Sequence, residues 1–216
     1  AKLMGLPVKT FVCASNDNKV LYDFFETGVY DRNRDFNLTT SPSMDILISS
    51  NLERLIFKIA GDSEEINKKM MSDLSTVGKY EISEDMKAGL ADFIGGYATE
   101  AENSAAIKKN YTENKYVMDT HTGVAACVAD KCLADDKTPA VIVSTASPYK
   151  FSRAVMTSID PAYDAKDDFE LINDLKNISG IEIPNAVKEI MDAEIRHNTV
   201  CDIDKMEDTV KGFLGL

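Results

Sequence analysis

Residues 9–25 read KTFVCASNDNKVLYDFF. A short run rich in β-branched and aromatic residues, Val8 to Ala14, stops at Ser15-Asn16-Asp17-Asn18, and a helical pattern follows at once. Such a run predicts a strand. The small polar residues predict a cap, because their side-chain oxygens accept from the first free N–H groups of a helix, here about Lys19 to Thr27. Gly28 then ends that helix. Strand, polar turn and helix in this order form the repeating unit of a parallel α/β sheet.

Two more such units follow. Lys115 to Met118 (KYVM) predicts a short strand, Asp119-Thr120-His121-Thr122 a polar turn, and 123–134 a helix. Pro139 to Val143 (PAVIV) is continuously apolar, as in a strand buried on both faces. It ends in Ser144-Thr145-Ala146-Ser147, with Pro148 at a first helical position. If the three strands are parallel, their turns share one edge of the sheet. Open α/β sheets bind ligands at that edge, and helix N-termini there favour anionic groups. Each turn, taken alone, reads more readily as a plain helix cap, and the three together weaken that reading.

The remaining sequence is mostly helical. Ser50 to Glu53 has the pattern of a capping box before Leu52, Leu55, Ile56 and Ile59. Ser63 opens a helix that stops at Gly78. Ser83 opens another, with Met86, Leu90, Phe93, Ile94 and Tyr97 on one side and Gly95-Gly96 inside the pattern. Further helices are expected at Glu100 to Asn110, 165–178, 185–192 and 203–213, while 29–49 reads as a long and therefore functional loop. The fold class is helix-rich α/β, with a small parallel sheet of about three strands. That sheet is thin for so much helix. The 216 residues therefore read as a C-terminal fragment of a larger α/β enzyme domain. Within it, 1–60 and 111–160 would carry the sheet and active-site edge, and 61–110 and 161–216 helical additions.

Composition narrows the function. The chain is 44% hydrophobic and 28% charged, with a net charge of −12, which disfavours a nucleic-acid partner or an anionic membrane surface. No apolar run approaches the ~18 residues of a membrane-spanning helix. The four cysteines, at 13, 127, 132 and 201, form no dense framework and read as reduced, hence cytoplasmic.

Four stretches, in order and spacing, carry a resemblance: GLPVKTFVCASNDNKVLYDFFETGVY, TTSPSMDILISSNLERLIF, YVMDTHTGVA and AVIVSTASPYKF, with a continuation at IRHNTVCDIDKMEDTVKGFL. Together they are similar to the C-terminal half of threonine synthase, in the longer form of yeast and many bacteria. The resemblance implies a pyridoxal 5'-phosphate enzyme of the tryptophan synthase β-subunit fold. Its substrate would be O-phospho-L-homoserine, converted with water to L-threonine and phosphate. The family's cofactor-bearing lysine and glycine-rich phosphate loop lie in its N-terminal half, and neither motif occurs here. The fragment is therefore expected to carry no catalytic residue of its own, to lack the cofactor when alone, and to need the N-terminal half of the same polypeptide as partner. By the resemblance, Thr145, with Ser144, matches the hydroxyl position that meets the cofactor's pyridine nitrogen. Many relatives have His where this chain has Ser147. Asn16 and Asn18 match a substrate-side turn, and Ser43 and Asp45 another segment of the active-site edge. His121 sits in a turn aimed at that edge, where it could hold the substrate phosphate or a water; a structural role is the alternative.

Three rivals stand beside this reading. Cys127 with Cys132, and His197 with Cys201, have spacings that could place metal ligands on one helix face. Cys127 falls on the apolar side with Val124 and Val128, so no metal site is expected. A non-catalytic regulatory or interaction module that keeps a synthase-like shape is the main alternative. A dehydratase of the same cofactor fold is disfavoured by SPSMDILISSNLER and DTHTG.

Overall fold

β1 runs from Phe11 to Ser15 and ends in the polar turn, as its composition predicts. In the computed structural model, which describes residues 1–216, it pairs in parallel with β4, Phe93–Tyr97. The parallel sheet thus has two strands, near the number expected, but only one of the expected members. The sequence pattern puts Phe93, Ile94 and Tyr97 on a helix; that helix, α4, spans only Glu84–Ala88. The glycines explain the difference. A Cβ on Gly95 would meet Phe25 Cβ and Tyr22 O at 3.1 Å, and one on Gly96 would meet Val128 Cγ1 at 2.4 Å. Tyr22 and Phe25 lie on α1, Val20–Thr27, and Val128 on α6, Thr120–Cys132. Adjacent strand residues point to opposite faces. The two glycines therefore let α1 close on one face and α6 on the other.

A second, antiparallel pair joins β2, Val29–Asp31, to β3, Lys79–Glu81. β2 falls in the stretch that reads as irregular; β3 falls between the helices expected to stop at Gly78 and to start at Ser83, and β4 within the second, both inside the 61–110 region expected as a helical addition. Tyr30 and Tyr80 stack with ring centroids 5.4 Å apart, and Phe24 and Ile56 pack in the same fully buried cluster. Each such side chain contributes about 1.5–3 kcal/mol through burial. The cluster also takes Leu52 and Ile56 from α2, Leu52–Ile59, and Met70 and Leu74 from α3, Glu64–Thr76. The capping box expected at Ser50 does not form: Asn51 precedes α2 without a side-chain cap, and its Oδ1 accepts from Arg54 Nη2 instead. Ser63 and Ser83 cap α3 and α4 as expected.

Two predicted strands are not strands. At the end of α5, Glu100–Asn114, Lys115 turns left-handed (φ 55°) and Asn110 Nδ2 donates to Tyr116 O. Val117 and Met118 are buried there without a ladder. Pro139–Val143 runs without helix or ladder, and Val141 is 88% exposed. A single 3-10 turn at Pro148–Phe151 leads into α7, Ser152–Ile159, and α8, Asp168–Ser179, follows. These elements belong to one unit, Ala1–Glu182. A second unit, Ile183–Leu216, holds α9, Asn185–Met191, and α10, Met206–Leu214. No helix is long and apolar enough to cross a membrane.

Candidate functional site

The parallel register of β1 and β4 brings Ser15 beside Tyr97, so both strands deliver their following turns to one edge. After β1 come Asn16, Asp17 and Asn18; after β4 comes the start of α5. The two are tied together by Asp17 Oδ2, which accepts the N–H of Glu100 at 3.0 Å. Glu100 Oε2 in turn accepts the N–H of Thr40 at 2.9 Å, drawing the loop after β2 over the same edge. Lys19 is held in a left-handed backbone (φ 39°) as the chain turns into α1. That conformation is uncommon for a residue other than glycine, asparagine or aspartate.

Asp45 is the hub of this edge. Its Oδ1 lies 2.7 Å from Asn16 Nδ2, 2.9 Å from Asn18 Nδ2 and 2.7 Å from Thr39 Oγ1, and its Oδ2 accepts the N–H of Thr39 at 2.9 Å. Asn16 Nδ2 is also 2.9 Å from Thr39 Oγ1 and 3.1 Å from Ser41 Oγ. Asn18 closes the loop twice more, donating to Asn37 O and accepting the N–H of Asn37, both at 2.9 Å. Asn16, Asn18 and Ser41 are 1%, 3% and 0% exposed. Their amides are thus committed to holding the 37–45 loop, which is what buried polar groups require.

A second network begins at α6. Asp119, which reads as part of a turn in the sequence, is the N-cap. Its Oδ1 accepts from the N–H groups of His121 and Thr122, at 2.8 and 3.3 Å. His121 Nε2 accepts the N–H of Ser43 at 3.1 Å, which leaves the proton on Nδ1, 3.1 Å from Asp119 Oδ1. The ring packs on Phe151 with centroids 4.8 Å apart. Thr122 Oγ1 donates to Asp119 Oδ2 in a short contact and lies 2.9 Å from Ser144 Oγ.

The expected site residues therefore fall in two linked groups. Asn16, Asn18 and Asp45 form one; Ser43, His121 and Ser144 form the other, bridged by the loop itself. Thr145 follows Ser144 and is exposed. Lys150 is exposed and sits over the Phe151 ring, 5.6 Å from its centroid. Sequence reading missed Asp17, Thr39, Ser41, Glu100, Asp119 and Thr122 as individual contributors. All but Glu100 lie inside the quoted motifs, so the signal was present there.

Cys13, Cys127 and Cys132 are partly buried and serve packing, while Cys201 is exposed. Burial pushes the Cys13 thiol up to about 11 and raises those of Cys127 and Cys132. Cys132 Sγ lies 3.9 Å from Gly95 O, against the sheet. His197 and Cys201 lie outside any helix, so their spacing does not place them on one helical face.

Residues 122–211 match the family described as threonine synthase, C-terminal. Threonine synthase-like 1 of Homo sapiens is 41% identical over 162 residues, covering 74% of this chain and 22% of that protein. Threonine synthase of Saccharomyces cerevisiae is 33% identical over 219 residues, covering 93% of this chain and 42% of that protein. Among solved structures, a threonine synthase from yeast superposes with a TM-score of 0.78 at 27% identity, covering 99% of this chain and 44% of that one. A PLP-bound threonine synthase from Brucella melitensis gives 0.69 at 37% identity, covering 73% and 34%. The chain spans about a fifth of the first relative's length and about two fifths of the second's.

Proposed function

The chain belongs to the threonine synthase family, in its C-terminal portion, and from that premise we propose that it forms part of a pyridoxal 5'-phosphate-dependent threonine synthase. The reaction is conversion of O-phospho-L-homoserine and water to L-threonine and phosphate, a carbon–oxygen lyase reaction acting on a phosphate. The observation that carries the reading is the convergence of the family-like motifs, 15–18, 39–45 and 119–122 with Ser144, on one edge of a parallel sheet.

The residues present suit one end of the cofactor. Thr122 holds Ser144 at 2.9 Å, and the adjacent exposed Thr145 would offer its hydroxyl to a pyridine nitrogen. They do not suit its phosphate, because Gly95 and Gly96 are filled by Tyr22, Phe25 and Val128 and form no cradle. The cofactor would supply the electron sink for loss of the γ-phosphate and addition of water. This chain's residues would orient what binds. Asp45 holds Asn16, Asn18 and Thr39, and through them the 37–45 loop. His121 sets the backbone of Ser43. The lysine and phosphate loop are assigned to the N-terminal half of the same polypeptide, so residues 1–216 alone would be inactive. The reduced cysteines suit action in the cytoplasm.

The test is phosphate release from O-phospho-L-homoserine. Residues 1–216 should release none, and the same chain carrying its upstream polypeptide should turn over. Absence of release by the longer protein would overturn the proposal in favour of a non-catalytic module.

A further inference from the structure

Resting on the threonine synthase reading above, we propose that Asp119 is a positioning residue that makes this edge a hydrogen-bond acceptor. Through Thr122 it fixes the Ser144 hydroxyl with its lone pairs outward. Ser144 then receives an N–H or O–H group of the substrate, and the phosphate of the substrate lies elsewhere.

A count of protons carries the inference. Asp119 is 1% exposed, and a carboxylate only accepts. Its Oδ1 takes three N–H groups: the backbone of His121 at 2.8 Å, the backbone of Thr122 at 3.3 Å and the His121 ring Nδ1 at 3.1 Å. Its Oδ2 takes the hydroxyl of Thr122 in a short contact. A threonine hydroxyl has one proton to give, and here it is spent on Asp119. The 2.9 Å contact between Thr122 Oγ1 and Ser144 Oγ is therefore made with the proton of Ser144. That proton points inward, so only lone pairs face away from Thr122. Ser144 is exposed, which leaves those lone pairs within reach of a ligand.

The same count applies to His121. Nδ1–H donates to Asp119, and Nε2 accepts the N–H of Ser43 at 3.1 Å. Neither nitrogen is left to donate to an anion, and the ring is buried against Phe151. Of its two expected roles, this gives His121 the structural one.

The ligand chemistry follows from the direction of these bonds. A phosphate beside Ser144 would meet oxygen lone pairs, with the charge of Asp119 one residue behind them, and like charges repel most where water is scarce. An N–H or O–H group would instead meet an acceptor polarised by that charge through Thr122. Thr145 stands outside this chain of bonds, so of the two neighbouring hydroxyls it is the one that gives a proton outward.

The test is neutron diffraction from deuterium-exchanged crystals of the protein carrying its upstream polypeptide. One deuteron is expected on Thr122 Oγ1 facing Asp119 Oδ2, one on Ser144 Oγ facing Thr122, and none on His121 Nε2. Asp119→Asn keeps an N-cap of equal quality, and with its oxygen claimed by the three N–H groups its amide falls at Thr122. It should reverse the pair, turning Thr122 toward Ser144 and the Ser144 deuteron outward. A deuteron on Asp119, or a Ser144 deuteron facing outward in the parent, would overturn the proposal. Kinetics on the same protein read the consequence. Ser144→Ala should raise KM for O-phospho-L-homoserine about 3–10-fold and leave inhibition by inorganic phosphate unchanged. Adding Asp119→Asn to Ser144→Ala should raise KM no further. Phosphate inhibition weakened as much as KM would place the phosphate at Ser144 and overturn the proposal, as would losses that multiply in the double variant. A parent that releases no phosphate sinks the enzyme reading alone, because the deuteron positions stand without turnover.

Discussion

His121 Nε2 accepts the backbone N–H of Ser43 across 3.1 Å, joining two segments 78 residues apart. One is the loop that Asp45 organises; the other is the N-terminus of α6, capped by Asp119. Because the His121 ring is buried and its other nitrogen faces Asp119, removing it takes the acceptor from the Ser43 N–H and one of three donors from Asp119 Oδ1, and leaves a cavity against Phe151. His121→Ala should cost about 2 kcal/mol in chemical denaturation and speed amide exchange of 39–45. His121→Gln, which keeps an acceptor near Nε2, should lose less. Equal effects of the two would argue that ring packing on Phe151, and not the bond to Ser43, is what matters.

Asp45→Asn places an amide among four donors that need an acceptor. We expect a loss of about 2 kcal/mol and weaker binding of substrate in the complete enzyme, with the larger effect in KM. A variant as stable as the parent would show that these four contacts contribute little to holding the loop.

Glu102 gives a pH-dependent prediction. Its hydrogen bond to Lys131 (2.7 Å), and then those to Thr99, lower its carboxyl from 4.5 to about 2. A depressed carboxylate stabilises the fold above its unfolded value, and the benefit disappears as pH falls from about 4.5 through about 2. Both side chains are about 40% exposed, so screening leaves about 1 kcal/mol. Glu102→Gln should be less stable than the parent at pH 7 by about that amount and equal to it near pH 2. A constant gap across that range would contradict the assignment.

Gly96→Ala drives a methyl to within 2.4 Å of Val128 Cγ1. Overpacking of this kind costs about 1–3 kcal/mol. Pairing it with Val128→Ala should recover part of the loss, because the two residues share one contact. Melting curves of the single and double variants read this out directly, and simple additivity would place the strain elsewhere.

What was legible in the sequence was local. The stop of β1 at Ser15-Asn16-Asp17-Asn18 and the caps at Ser63 and Ser83 depend on residues a few positions apart, and they appear as read. β4 was hidden because its two central positions are glycines, required by helices on both faces, so no strand alternation survives. Pro139–Val143 shows the reverse: its composition is that of a strand, but no ladder partner lies beside it. The Asp45 hub was half legible. Asn16, Asn18 and Asp45 were named from motif resemblance, yet their mutual contact spans up to 29 residues and no periodicity reports it.

The most direct measurement is a titration with pyridoxal 5'-phosphate followed by absorbance, on residues 1–216 and on the protein carrying its upstream polypeptide. The account predicts a saturable cofactor band in the longer protein only. No band in the longer protein would contradict it, and the 15–18, 39–45 and 119–122 edge would then belong to a module without cofactor chemistry.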